Sequence, residues 1–307
     1  MPTNPQSERT VAVIDSNSLI HRAYHAVPPT MNAPDGTPTN AVFGFLAMLI
    51  KFIQEFHPDA LVAAFDAGVP KYRFEAIELY KAQRPPMDDE LKVQFPVIEQ
   101  ILVALGVPVV KLEGFEGDDI LGSLSAECER EGGQRCLLIS GDKDILQLVS
   151  EQTHVINTRK GMTDIVDYDP AGVVDKFGVG PELVPDYLGL MGDSSDNIPG
   201  VPGVGAKTAT KLLQQYGSIE GLYQHADEVK GKLGEKVRAN QQMALDSRQV
   251  ATILRDAPVG LDLQSLHFPD FDSQRLRQVM EGFGLHSQLR KLLGLLDGAE
   301  DANPRQA

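Results

Sequence analysis

A series of short apolar segments, most of them ended or soon followed by acidic residues, constrains the fold of this 307-residue chain more than any other feature. The segments VAVID, ALVAAFD and CLLIS are apolar almost throughout, as in strands that helices cover on both faces. Segments with helical spacing separate them, which is typical of parallel βα units. The sequence therefore predicts an α/β fold. The predicted strands cover residues 11–15, 60–66, 108–112, 135–140 and 154–157, and the predicted helices lie near 17–26, 40–57, 89–105, 117–131 and 142–149.

The second half of the chain has a different pattern. After about residue 175 the strand signal fades, and short helical stretches alternate with glycine, as in PELVPDYLGLMG and AKTATKLLQQYG. A last periodic segment, SQRLRQVMEGFGLHSQLRKLLGLL, predicts a helix or a helix pair, and a polar stretch without periodicity follows it. We predict an α/β domain over residues 1–175, a mostly helical domain over 176–296 and a disordered tail over 297–307.

Composition excludes several classes of protein. With 28 basic and 43 acidic residues, the formal net charge is −15, which disfavours a nucleic-acid partner if the acidic residues are spread evenly. The longest apolar run, residues 41–50, is far shorter than the ~20 residues of a membrane span, and the N-terminus has no signal pattern. Cys128 and Cys136 lack metal-ligand spacing. We expect a cytoplasmic protein with no membrane partner and with two reduced core cysteines.

The acidic residues are concentrated where predicted strands end. Because ligands bind outside the carboxyl ends of parallel strands, these side chains should share one cleft. Two charges ~4 Å apart repel by about 4 kcal/mol at an effective dielectric of 20, so something must neutralise them, and protonation could serve for one or two. Oxygen ligands without histidine or cysteine suit two Mg²⁺ or Mn²⁺ ions, an arrangement that hydrolyses phosphodiesters. The predicted metal ligands are Asp15, Asp66, Glu116, Asp118, Asp119, Asp142, Asp144, Asp193 and Asp196.

Each of these residues also has a simpler interpretation. A single aspartate at a strand end is usually a helix N-cap or a turn residue. That interpretation does not account for the recurrence of acidic residues after four successive predicted strands. It also leaves GFEGDD unexplained, where three acidic residues occupy four positions. Metal binding is the hypothesis that covers the whole set.

A glycine-rich segment suits phosphate binding. In IPGVPGVGAKTATKLL, a tight turn precedes a helix, so that backbone N–H groups at the helix start face an anion. The segment resembles a helix-hairpin-helix, and its predicted DNA-binding residues are Gly203, Gly205, Lys207 and Lys211. The alternative is an ordinary turn between two helices with a solvated lysine face.

A basic segment, KYRFEAIELYKAQRPPM, follows the second predicted strand and is too polar for the core. It should overhang the cleft. We predict that Lys71 and Arg73 bind DNA, that Lys81 and Arg84 contact the scissile phosphate, and that Tyr80 stacks on a base. The alternative is a surface loop with unrelated basic residues.

A linked set of motifs resembles a known family. VAVID, AAFDAG, YKAQRPPM, GFEGDD, SGDKD and GDSSDNIPGVPGVGAKTA occur in the order and at roughly the distances of the 5′→3′ exonuclease domain of bacterial DNA polymerase I, part of the flap endonuclease family. The resemblance covers about residues 9–293. It implies a PIN-like parallel sheet flanked by helices with a helical arch, followed by a mostly helical domain that contains the helix-hairpin-helix.

The same resemblance implies an activity. The chain would be a 5′→3′ exonuclease and 5′-flap endonuclease of DNA replication and repair, a monomer that uses two Mg²⁺ ions and a K⁺ ion at the helix-hairpin-helix. Its substrates would be branched or flapped DNA and RNA-primed DNA.

Site roles follow from the resemblance residue by residue. The first metal ion would be held by Asp15, Asp66, Glu116 and Asp118. The second would be held by Asp142, Asp144 and Asp196, with Asp118 or Asp119 between the two sites and Asp193 in an outer position. Lys81 and Arg84 resemble the arch residues that stabilise the scissile phosphate. The chain departs from the family at Ser16, where glycine is frequent, and at Gly117, where alanine is frequent; neither change removes a ligand.

Three other functions remain to be weighed. A DNA-binding protein with a decayed nuclease should have lost ligands, and all seven primary ligands are present. A PIN-type ribonuclease acting on free RNA does not need the helix-hairpin-helix or the basic arch. A small-molecule phosphatase of another acidic α/β fold would lack the second domain.

Overall fold

The computed structural model describes residues 9–68, 70–158 and 164–300, with side chains as far as residue 296. Its centre is a six-stranded sheet with the order β3-β2-β1-β4-β5-β6. The strands are β1 (Arg9–Asp15), β2 (Ala60–Phe65), β3 (Val109–Lys111), β4 (Gln134–Ile139), β5 (Thr153–Thr158) and β6 (Ile165–Tyr168). The five predicted strands and the α/β class are confirmed.

The strand order reverses at β1. From β1 the chain builds outward through β2 to β3, and it then returns to the other side of β1 to add β4 and β5 in parallel. In such sheets, the crevice between the two central strands is the usual ligand site. The sixth strand was not predicted and pairs antiparallel with β5, which makes the sheet mixed. Its four residues, IVDY, are too short to carry a strand pattern.

Fourteen helices are described. They are α1 (Ser16–Ala26), α2 (Asn40–Phe56), α3 (Lys71–Ala76), α4 (Asp89–Lys92), α5 (Phe95–Ala104), α6 (Gly117–Glu131), α7 (Pro170–Phe177), α8 (Val184–Met191), α9 (Ala206–Tyr216), α10 (Ile219–Gln224), α11 (Gly231–Ala239), α12 (Gln241–Ala251), α13 (Ser273–Gly282) and α14 (His286–Glu300).

Two of the predicted helices differ in the structure. The helix expected near 89–105 is divided into α4 and α5, because Pro96 lies in the first turn of α5 and lacks the N–H that a continuous helix would need. The helix expected at 142–149 is a 3-10 helix, Asp144–Leu148. The predicted arch segment contains one short helix, α3, and turns in its remaining described residues.

Side chains of β1 alternate between two cores. Val11 and Val13 pack with α6 and with the helices after residue 176, whereas Ala12 and Ile14 pack with α1, α2 and α5. This period of two is the pattern expected of a strand covered on both faces. Cys128 and Cys136 are buried and free, as predicted.

The last two helices return to the first half of the chain. Helix α13 packs on α5, and α14 packs on α2, so both lie on the face opposite α6. Residues 297–300, predicted as tail, continue α14, and residues 301–307 lie outside the described part. No helix in the described part of the chain is both long and apolar enough to cross a bilayer. The predicted domain boundaries stay predictions.

Candidate active site

Asp15 lies at the end of β1, beside the point where the strand order reverses. Its Oδ1 accepts a hydrogen bond from Ser18 N at 3.0 Å and so caps α1, while its Oδ2 accepts from Ser140 Oγ at 2.6 Å. The Ser140 hydroxyl in turn accepts from Asp142 N at 3.0 Å. The N-cap interpretation is therefore correct for Asp15, and the same contacts join it to the end of β4.

Asp66 follows β2 and faces the start of α6. Gly117 N donates to Asp66 Oδ1 at 2.7 Å, and Asn17 Nδ2 donates to Oδ2 at 2.9 Å. Asn17 Oδ1 also accepts from Asp66 N at 3.1 Å. Asn17 was missed by sequence reasoning, and only its position two residues after Asp15 could have drawn attention to it.

Glu116 precedes α6 and is almost fully buried. Its carboxylate accepts from Tyr80 Oη at 3.0 Å and from Lys81 Nζ at 2.6 Å, and it is also paired with Arg73. Asp118 follows in the first turn of the helix. Glu116 is therefore the point at which the basic segment meets the acidic one.

The second group of acids follows β4 and α8. Asp142 Oδ1 accepts from Asp144 N at 2.9 Å, and Asp144 is buried with its Oδ1 unpartnered. Asp196 accepts from Arg84 Nη2 at 2.5 Å and lies 3.7 Å from Lys81 Nζ. We call Asp15, Asp66, Glu116, Asp118, Asp142, Asp144 and Asp196 the acid cluster.

Electrostatics confirm that these carboxylates share one environment. Burial, together with the charges of Asp66 and Asp142, raises the pKa of Asp15 to about 7. Burial and neighbouring carboxylates also raise the pKa of Asp66, Asp118, Asp142 and Asp144. Cluster members separated by more than 100 residues therefore raise one another's pKa.

The acid cluster fits divalent cations by its chemistry. In the described residues, no three Asp, Glu, His or Cys side chains stand in an arrangement ready to hold one ion. Lys81 and Arg84 neutralise only Glu116 and Asp196. The donors that remain are carboxylate oxygens, one of them buried without a partner, and hard cations such as Mg²⁺ and Mn²⁺ prefer such ligands.

Two residues that were predicted to belong to the site, Arg73 and Asp119, are buried inside the protein. The Arg73 side chain is 2% exposed, binds Asp119 at 2.8 Å and Val250 O at 3.1 Å, and so cannot reach DNA as predicted. Asp119 is fully buried; besides Arg73 it accepts from Tyr72 Oη at 3.0 Å and from Leu254 N at 3.1 Å. Its oxygens are occupied, so the prediction of a metal ligand is corrected to a structural anchor.

Two further predicted site residues have partners within the protein. Tyr80 is 3% exposed and donates to Glu116, so its ring is not free to stack on a base as predicted. Asp193 is paired with Lys143, whose Nζ lies 2.9 Å from Asp193 Oδ2, and also accepts from Ser195 Oγ at 2.7 Å. Asp193 thus lies beside the cluster, near Asp144, and its outer role stays a prediction.

The predicted phosphate-binding residues lie on the second half of the chain. The glycine-rich segment joins α8 to α9, with Gly203 at φ +84° and Gly205 at the N-cap of α9. This positive φ favours glycine at position 203, whereas the Lys236 Nζ that a Cβ would meet at 2.5 Å is the end of a flexible side chain that can move aside. Lys207 and Lys211 are exposed on α9, and Lys71 is exposed at the start of α3. Their contact with DNA stays a prediction.

Two family models match most of this chain. Residues 10–178 match the family described as "5'-3' exonuclease, N-terminal resolvase-like domain", and residues 179–274 match "5'-3' exonuclease, C-terminal SAM fold". The chain is similar to DNA polymerase I of Bacillus caldotenax, with 43% identity over 286 residues that cover 93% of this chain and 32% of that protein. DNA polymerase I of Bacillus subtilis (strain 168) is 41% identical over 285 residues, 92% of this chain and 32% of that protein. The chain spans about a third of the length of these relatives.

Solved structures show the same fold. T5 5′-exonuclease with bound divalent zinc ions superposes with a TM-score of 0.63 and 18% identity, covering 94% of this chain and 99% of that one. The catalytic core of Rad2 in complex with DNA substrate superposes with a TM-score of 0.58 and 16% identity, covering 97% and 95%.

Proposed function

The chain belongs to the 5′-3′ exonuclease family, and on that premise we propose that it is a structure-specific nuclease that cuts branched DNA at 5′ flaps and at RNA primers. The observation that carries the proposal is the acid cluster, in which carboxylates after β1, β2, β3 and β4 and the loop after α8 meet two cationic side chains. In two-metal hydrolysis of a phosphodiester, carboxylates hold the ions, and cationic side chains in the same cleft can stabilise charge on the phosphate. The activities of the longer relatives enter only as part of this proposal.

Two Mg²⁺ or Mn²⁺ ions are the cofactors that the cluster would hold. Asp15, Asp66, Glu116 and Asp118 would hold the first, and Asp142, Asp144 and Asp196 the second. Such ions, when bound, lower the pKa of a water nucleophile and stabilise the leaving oxygen. Serine and asparagine contacts fix the carboxylates in advance: Ser140 orients Asp15, and Asn17 orients Asp66.

Lys81 and Arg84 would bind the scissile phosphate. Both lie in the turn after α3 and already point into the acid cluster, with hydrogen bonds of 2.6 Å to Glu116 and 2.5 Å to Asp196. Lys81 is held in a left-handed backbone conformation, φ +53°, and its N–H donates to Asp196 O at 2.9 Å. An ammonium and a guanidinium fixed at this position can stabilise negative charge that develops on a phosphate.

The rest of the DNA would be held through its backbone. Gly203, Gly205, Lys207 and Lys211 present N–H groups and lysines to phosphates, with a K⁺ ion at the hairpin, and Lys71 adds a contact at α3. Backbone contacts carry no base information, so specificity should follow the shape of the junction. We propose a cytoplasmic monomer with DNA, including RNA-primed DNA, as its partner.

One labelled double-flap substrate tests the proposal. We expect Mg²⁺- or Mn²⁺-dependent cleavage near the junction, with equal rates for flaps of unrelated sequence and with a labelled RNA primer cut at its 5′ side. Equal cleavage in excess EDTA would refute the metal mechanism. A preference for free single-stranded RNA in direct competition would favour the ribonuclease instead.

A further inference from the structure

Gln147 joins the 3-10 helix that begins at Asp144 to the second half of the chain. Its Nε2 donates to Ala251 O at 2.9 Å, and its Oε1 accepts from Ile253 N at 2.8 Å. The same Nε2 donates to Asp144 O, also at 2.9 Å. These contacts use both N–H groups and the oxygen of the amide, so one side chain fixes the backbone of a proposed metal ligand to the end of α12.

The 3-10 helix has little support from its own backbone. The hydrogen bond at its end, from Val149 N to Leu146 O, is 3.4 Å long, against the ~2.9 Å that is usual for such bonds. Short 3-10 helices also have poorer hydrogen-bond geometry than α-helices. Asp144 Oδ1, by contrast, is buried without a partner. This oxygen is therefore free for a cation, while the backbone position of Asp144 depends on the contact with Gln147.

The chain after α12 also lies against α6, whose first turn carries Asp118. We call residues 251–257, the end of α12 and the chain that follows it, the strap. Leu254 N donates to Asp119 Oδ1 at 3.1 Å, and a Cβ on Gly122 would meet Leu254 O at 2.3 Å, so the strap and α6 touch backbone to backbone. The strap is thus a common support for α6 and for the 3-10 helix, two elements that carry members of the acid cluster.

We propose that Gln147 is a positioning residue for the second metal ion, because it clamps the 3-10 helix on the strap and so sets where Asp144 lies relative to the ligands on α6. Gln147 itself contacts neither the metal nor the DNA in this assignment. The inference rests on the proposed function, in which Asp144 is a ligand, and it makes a segment of the second half of the chain part of the framework of the metal site. Residues that orient a ligand in this way typically contribute about 10- to 100-fold to metal affinity.

Mn²⁺ binding in the absence of DNA measures the effect directly. Gln147→Met keeps the size of the side chain and removes its three hydrogen bonds, so it should weaken about 10- to 100-fold the Mn²⁺ site that Asp144→Asn also weakens. If Gln147→Met is unfolded at the assay temperature, Gln147→Asn replaces it, and the shorter amide should cause a smaller loss at the same site. Gln264→Met makes the same change at the surface, where the Gln264 amide donates to Glu131 at 2.7 Å, and should leave Mn²⁺ affinity unchanged. Wild-type Mn²⁺ affinity at both sites of the Gln147 variant would overturn the inference.

Ser123→Ala separates positioning from a general loss of stability. It removes the hydroxyl that accepts from Ala257 N at 2.9 Å, so it loosens the strap on α6 without removing a contact of the 3-10 helix. In EDTA, amide hydrogen exchange of residues 144–148 should be faster in Gln147→Met than in the wild type and unchanged in Ser123→Ala. Equal exchange of these residues in Gln147→Met and the wild type, or an equal loss of Mn²⁺ affinity in Ser123→Ala, would overturn the inference.

Cleavage of the double-flap substrate separates this inference from the proposed function. Gln147→Met should need about 10- to 100-fold more Mn²⁺ for half-maximal cleavage and should approach the wild-type kcat at saturating Mn²⁺, with the KM for DNA unchanged. A wild-type Mn²⁺ titration of cleavage in this variant would reject the positioning role and retain the nuclease. Absence of cleavage of every branched substrate by the wild type would reject the nuclease itself, and the inference with it.

Discussion

Replacing Asp15 by asparagine should stabilise the metal-free protein, although it removes a proposed metal ligand. Burial raises the pKa of Asp15 from 3.8 to about 7, so folding holds this carboxyl partly protonated at a pH where the unfolded chain has it ionised. A shift of three pKa units corresponds to about 4 kcal/mol. The free energy of unfolding falls by this amount as the pH rises from about 4 to 7. Asparagine cannot ionise, so the variant does not lose this free energy.

The substitution also keeps the cap of α1 and reverses the hydrogen bond to Ser140. An asparagine Oδ1 can accept from Ser18 N and cap α1, as Asp15 does now, and its Nδ2 can donate to Ser140 Oγ. The hydroxyl has the lone pairs to accept from both that amide and Asp142 N. The variant should therefore differ from the wild type in charge and not in packing.

Thermal unfolding in EDTA at a series of pH values measures the effect. At about 2 °C per kcal/mol, Asp15→Asn should raise Tm by up to about 8 °C at pH 8 and by almost nothing below pH 4. With Mg²⁺ the order should reverse, because ions that bind only the folded wild type stabilise it by mass action. Asp175→Asn, on the exposed side of α7, serves as the control and should leave Tm unchanged. A lower Tm for Asp15→Asn in EDTA at pH 8 would refute the electrostatic reasoning.

Three further substitutions test other parts of the site. Asp142→Asn should lower cleavage by about 10³-fold while DNA affinity in EDTA stays within about twofold, and normal cleavage would show that the cluster is misassigned. Asn17→Ala should raise the Mn²⁺ concentration for half-maximal cleavage about tenfold by freeing the Asp66 carboxylate, and an unchanged Mn²⁺ titration would contradict that role. Arg73→Met should cost about 3 to 5 kcal/mol, the value for a broken buried ion pair, because it leaves the fully buried carboxylate of Asp119 without its cation; a denaturation midpoint equal to that of the wild type would refute it.

Much of the fold and part of the site could be predicted from the sequence, because the signals involved are local. A continuous apolar run followed by an acid identifies both a buried strand and the side chain at its carboxyl end, as for Asp15 and Asp66. The edge strand β6 has only four residues, and the packing of α13 and α14 on the first half is a contact between distant segments. Neither has a local signal.

The errors at Arg73 and Asp119 have the same origin. A basic residue in a polar segment looks like a surface residue, and an acid beside two others looks like another ligand. Each of these two side chains is buried because the other is. Arg73 lies 46 residues from Asp119 in the sequence, and its burial is possible because the Asp119 carboxylate and the Val250 carbonyl accept its hydrogen bonds in the core. Burial of a charged side chain requires such partners, and a single sequence does not show which distant residues supply them.

The charges of the acid cluster also account for the number of cations that we propose. Its seven carboxylates face two cationic side chains that no other carboxylate balances, Lys81 and Arg84, because Asp119 balances Arg73 and Asp193 balances Lys143. Two helices, α1 and α6, begin at the cluster, and each N-terminus contributes roughly half a positive charge, or about one charge together. About four negative charges are then left unbalanced when all carboxylates are ionised. One divalent ion would leave about two of them, a repulsion that burial makes costly, whereas two divalent ions balance the cluster.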